Sequence, residues 1–119
     1  MLVILIGILI GIIIGYIFPY TYNPQYSLYI SVSILACLDS IFGGTRAIME
    51  DKFDTVVFLS GFFLNALLAA FLAFLGEKLG VPLYYAAIVT FGGRLFDNFA
   101  KIRRIIVQNL RNNNSKNME

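Results

Sequence analysis

From Met1 to Phe18 the chain carries no charged side chain, and two further runs, near 27–48 and 55–75, are almost as apolar. No other feature restricts the fold so strongly. Eighteen residues at a rise of about 1.5 Å extend roughly 27 Å, close to the hydrocarbon thickness of a bilayer. Backbone N–H and C=O groups in such a setting must be satisfied within the segment, so each run is expected to be a helix. The charge content agrees. Only 13% of residues are charged and mean hydropathy is +0.79, whereas soluble domains carry about 25% charged residues. The sequence therefore predicts an all-α membrane protein.

Four helices are expected, at about 1–18, 27–48, 55–75 and 83–108, in a single bundle spanning 1–110. A signal peptide would bring a basic leading stretch and a small-residue cleavage site. Neither is present, so the first segment reads as a retained helix ending at Pro19. The loop Tyr20 to Tyr26 is rich in tyrosine, which suits the headgroup region, and has no Lys or Arg. The fourth segment turns amphipathic past Arg94: Leu95, Phe99, Ile102 and Ile106 share a face. It is expected to continue as a cytoplasmic amphipathic end. Residues 111–119, rich in asparagine, are expected to be a disordered cytoplasmic tail.

Charge sets the orientation. Five of nine basic residues (Lys101, Arg103, Arg104, Arg111 and Lys116) follow position 100. Arg46 and Lys52 flank the loop between the second and third segments. The positive-inside rule then places both termini in the cytoplasm with four crossings arranged as two tandem hairpins. Three crossings, with the second or fourth segment re-entrant at its Gly-Gly pair, is the alternative. The basic tail has no aromatic interleaving or groove-reading scaffold, so nucleic acid is not an expected partner.

Small residues mark packing faces. Gly7, Gly11 and Gly15 recur every fourth position and make a ridge that lets another backbone approach. Gly61, Asn65, Ala69 and Ala73 form a second ridge, expected to pack against another helix, with the glycine face of the first as the candidate.

The polar residues inside these segments are the candidate site. Asp39 precedes Gly43-Gly44 and Arg46, and the order is echoed by Gly92-Gly93-Arg94 with Asp97. Asp39 lies twelve residues past Ser27, and Arg94 twelve past Pro82. In parallel helices both sit at roughly 18 Å depth. Asp39 and Arg94 are thus expected to meet, with Asn65 pointing into the same seam and Asp97 competing for Arg94. Arg46 is expected to snorkel to the inner surface. Ionisable groups at such depth mark registry locks or ion and ligand paths.

Catalytic chemistry finds little support. There is no histidine, which removes His-dependent triads and the commonest metal ligand. Cys37 is the lone cysteine, so neither an intramolecular disulfide nor a zinc cluster can form. Phosphate-binding glycine loops are missing as well. No enzyme activity, catalytic residue, metal or cofactor is expected. Partners would be the lipid bilayer and other membrane chains, including a homo-oligomer.

Three stretches resemble a known family: Leu38-Asp39 through Gly43-Gly44-Thr45-Arg46-Ala47, Phe58 through Asn65, and Phe91-Gly92-Gly93-Arg94-Leu95-Phe96-Asp97-Asn98 with Ile102-Arg103-Arg104. Together they are similar to the bacterial small basic protein family, integral-membrane proteins of unassigned function. The resemblance implies a plasma-membrane protein in the setting of the cell envelope or of division. It carries over no catalytic or ligand-binding residue. Two functions are expected in order: a membrane assembly or scaffold component, or a small oligomeric channel or transporter using Asp39, Asn65 and Arg94.

Overall fold

The computed structural model describes residues 2–18, 20–21 and 23–119. Met1 at the head of the first expected helix, Pro19 as its stop signal and Tyr22 in the tyrosine loop lie outside the described residues. Four α-helices follow in order: α1 (Leu2–Ile17), α2 (Ser27–Met49), α3 (Thr55–Leu79) and α4 (Tyr84–Met118). A 3-10 turn, Pro24–Tyr26, leads into α2. Asn23 starts that turn by accepting from the Gln25 N–H at 3.2 Å.

Two stretches, Pro24–Met49 and Thr55–Leu79, are long and apolar enough to cross a membrane. Only 17% and 11% of their apolar windows are buried. The core helix of a soluble protein would show the reverse. α1 is shorter, 16 residues over Leu2–Ile17. Arg94, Asp97 and Lys101 put charge into the first half of α4.

α2 is the central helix, with α3 and α4 packed on it. Its turn to α3 is tight, and Asp51 takes a left-handed backbone (φ 56°) within it. Asp54 then caps α3, its Oδ1 accepting from the Val56 and Val57 N–H groups at 2.9 and 3.2 Å. These are two of the amides that a helix start leaves without a backbone partner. At the far end Gly80 closes α3 in the left-handed region (φ 70°), where glycine meets no steric penalty. The dry core holds Val32 and Ala36 of α2, Ala69 and Ala73 of α3, and Ala87 and Phe91 of α4. Alanines at i, i+4 let α2 and α3 approach closely, and Phe91 fills the space they leave.

Three expectations about packing are corrected. The glycine ridge of α1 does not meet the α3 ridge: a Cβ at Gly7, Gly11 or Gly15 would find nothing within 4 Å. The small face of α3 turns to α2 instead, where Ser33 Oγ donates to the Ala66 carbonyl at 3.3 Å. Neither Gly-Gly pair interrupts its helix; α2 and α4 run unbroken through Gly43-Gly44 and Gly92-Gly93. Helical backbone bonding persists there because no proline removes a donor. α4 also continues through the segment expected to be disordered, ending at Met118. No glycine or proline lies between Arg94 and Met118, so nothing in that stretch stops the helix.

Candidate functional site

The polar seam follows from helix phase. On α2, Asp39, Gly43 and Arg46 fall at successive steps of four and three, one face of a 3.6-residue helix. On α4, Arg94, Asn98 and Ile102 follow at two steps of four and also share a face. The two faces meet in parallel. Arg94 Nη2 stands 3.3 Å from Asp39 Oδ2, and a Cβ at Gly43 would meet Asn98 Nδ2 at 3.5 Å. These pairs are separated by the same number of positions along the chain. Tyr29 and Tyr84, both packed against the dry core, keep that same offset.

Asp39 is fully buried, while 57% of the Arg94 side chain is exposed. The contact is close enough for an ion pair. It lacks hydrogen-bond geometry, and both Asp39 carboxylate oxygens are without a hydrogen-bond donor. A buried carboxylate in this condition depends on the nearby guanidinium for its charge balance. The expected competitor does not compete: Asp97 turns to Lys101, 3.0 Å away on the surface of α4. Asn65 reaches the seam from α3, lining the cleft that Asp39 and Arg94 also line.

Arg46, near the end of α2, keeps part of its side chain exposed and turns the rest toward α4. It is half-buried, with Nε 3.1 Å from Glu50 Oε1 and Nη1 donating to Asn98 Oδ1 at 3.2 Å. Asn98, 8% exposed, is the site residue that sequence reasoning missed. Its signal was present: it follows Arg94 by four residues and so shares its face.

The seam opens into a cleft of about 340 Å³ beside the α2–α3 turn. Gly43, Gly44 and Gly61 give it a floor without side chains, and Lys52 stands at its edge. A second cleft of about 390 Å³ shares Gly43, Ala47, Lys52 and Arg94 with the first and reaches Arg46, Glu50 and Asn98. Deeper in, the buried Val32, Ala36, Ala69, Ala73, Ala87 and Phe91 occupy the space between the helices. The cleft is therefore blind within one chain. Gly92 and Gly93 take no part; a Cβ at either would find open space. No cluster of metal-ligating side chains occurs among the described residues.

Comparison with known proteins places this geometry in a family. A family profile described as a protein of unknown function (DUF1290) matches residues 22–107, which hold the whole α2–α3–α4 seam. The chain is 50% identical over 96 residues to a protein of Bacillus subtilis named small basic protein, covering 79% of each. Uncharacterised proteins of Mycobacterium bovis and Mycobacterium tuberculosis are 44% identical over 78 residues, covering 64% of each chain. No solved structure matches. By the extent of both matches, this chain belongs to the small basic protein family, whose function is unassigned.

Proposed function

We propose that this chain is a non-enzymatic, multi-pass protein of the bacterial plasma membrane that acts by assembling with other membrane chains, a second copy of itself first among them. The observation that carries this reading is the isolation of α1. Its three glycines meet nothing within 4 Å, while α2, α3 and α4 pack on one another. An apolar helix with a flat small-residue face gains van der Waals contact by pairing with another helix in lipid. All four helices cross the bilayer in this reading, as two tandem hairpins. The cytoplasmic side holds both termini, Arg46, Lys52 and the basic end of α4, and Tyr20 and Tyr26 lie at the outer interface. The family resemblance suggests the cell envelope or the division machinery as the setting.

The polar cleft favours a second reading, a channel or transporter lined by Asp39, Asn65 and Arg94. The apolar cluster beyond those residues offers no water path through one chain, so assembly is preferred. A liposome flux assay separates the two, because flux abolished by Asp39→Asn would establish transport.

The assembly reading is tested by crosslinking in native membranes, in a Cys37→Ser background with one cysteine introduced at a time. Gly11→Cys is expected to give a crosslinked pair under mild oxidation, and Val89→Cys on the exposed face of α4 is not. Absence of any crosslink from Gly7→Cys, Gly11→Cys and Gly15→Cys, together with a monomeric mass after gentle extraction, would sink the proposal.

A further inference from the structure

The end of α4 leaves the bundle uncovered on every side. Ile102, 9% exposed, is the last buried side chain of the helix, and along the same stripe Ile106 and Leu110 rise to 42% and 59%. The three follow at steps of four, so one apolar stripe runs out of the core and into solvent. Beside it Arg103, Val107 and Arg111 also follow at steps of four, with Arg104 two turns before Arg111 on the adjoining face. A shallow hollow of about 180 Å³ opens among these side chains.

Charge here is one-sided. Arg103, Arg104, Arg111 and Lys116 are exposed and make no ion pair among the described residues. Past Asp97 the sequence holds a single acid, Glu119. The positive-inside rule accounts for the sign of these charges. It does not account for a helical arm that aligns them beside an apolar stripe. From Arg103 to Met118 the arm extends about 22 Å, with neither a neighbouring helix nor an i,i+4 ion pair to support it. Helices of this length owe most of their stability to such contacts, so the arm gains by being covered.

Two occupants fit poorly. A second copy would set the same arginines against these, like charge to like. A lipid surface takes a basic amphipathic helix lying flat in the interface. α4 runs unbroken from Tyr84 to Met118, and no glycine or proline past Gly93 lets it turn. With its first half crossing the bilayer, its end points away along the same axis. Arg111 then stands about 12 Å beyond Arg103, further than the screening length of about 8 Å at physiological salt.

We propose that the end of α4 is a docking arm for an acidic segment of another protein. Apolar side chains of that segment cover Val107 and Leu110, and its carboxylates pair with Arg103, Arg104 and Arg111, whose forked donors match a carboxylate. The proposal rests on the membrane setting above but not on α1 pairing. A missing crosslink at Gly11→Cys would leave this surface standing, and failure here would leave α1 pairing standing.

The test places a photoreactive side chain on the arm of the full chain, in native membranes, as Val107→p-benzoylphenylalanine. Adducts formed on illumination are identified by mass spectrometry. The expected product joins position 107 to a protein peptide rich in Asp and Glu. Asn112→p-benzoylphenylalanine, on the opposite face, is expected to give none. Adding Arg104→Gln and Arg111→Gln is expected to lower the yield about tenfold, as for two lost exposed ion pairs, and Arg104→Lys with Arg111→Lys to restore most of it. All these side chains are exposed, so the fold does not depend on them. No adduct, an adduct with lipid, nucleic acid, a second copy or a segment without acids, or a yield untouched by the glutamine pair would each overturn the proposal.

Discussion

Removing the guanidinium of Arg94 strands a carboxylate that has no other counter-charge at hand. Breaking a buried ion pair from one side costs about 3–5 kcal/mol, most of it the penalty of the charge left behind. Here the partners are unequal: Asp39 is fully buried, and 57% of Arg94 is exposed. The cleft beside Arg94 admits water, which places Arg94→Gln near the low end, at about 3 kcal/mol. Asp39→Asn removes the buried charge instead and leaves a guanidinium that water can solvate. Its cost is about 1 kcal/mol, that of an ordinary lost interaction at a partly exposed group. In the double variant no buried charge remains, so its cost stays near that of Asp39→Asn alone. The coupling between the two positions is then about 2–3 kcal/mol. Equilibrium unfolding in mixed micelles of a mild detergent and dodecyl sulfate, followed by circular dichroism, measures all three variants. Equal losses from the two single substitutions, or additivity in the double, would refute the argument that Asp39 is the dependent partner.

The two Gly-Gly pairs are expected to respond in opposite ways to Gly→Ala. At Gly44 the new Cβ would lie 2.8 Å from Phe58 Cδ2, and Phe58 is already tilted against Phe53 and Phe62; the unfolding assay should show a loss of about 1–3 kcal/mol, relieved when Phe58→Leu is added. At Gly92 the Cβ meets open space, so the same change should stabilise by up to about 1 kcal/mol through helix propensity. Asn98→Leu strands the Arg46 Nη1 donor at the seam and should cost about 1–2 kcal/mol, whereas Arg46→Gln in the same background should add little further loss.

Depth was legible in the sequence and rotation was only partly so. Counting from Ser27 and from Pro82 set Asp39 and Arg94 at one level because both helices are continuous and rise uniformly. The same count gave no reason to single out Asn98. Its inward direction depends on helix phase, which is visible only when 94, 98 and 102 are read as one face. The partner of Arg46 was missed for a related cause: a basic residue near a helix end ordinarily reaches for water, and only the opposing Asn98 draws its Nη1 inward. The small-residue stripes were legible as surfaces but not as pairs. A glycine ridge states how close a neighbour can come; it does not name the neighbour, and α1 shows the difference. The length of α4 was hidden by composition. Asparagine weakens a helix without stopping it, and no glycine or proline supplies an end.

The last turns of α4 stand well beyond the seam, in a molecule extended to 64 Å along its longest axis. From Asn98 to Met118 the helix reaches about 30 Å at its usual rise. A tilt of about 10° at the Asn98 fulcrum would carry the tip by roughly 5 Å over that arm. Arg46, gripping Asn98 from α2, holds the lever at its pivot. A shift in the packing of these two side chains by a fraction of an ångström is thus magnified at the basic end of α4.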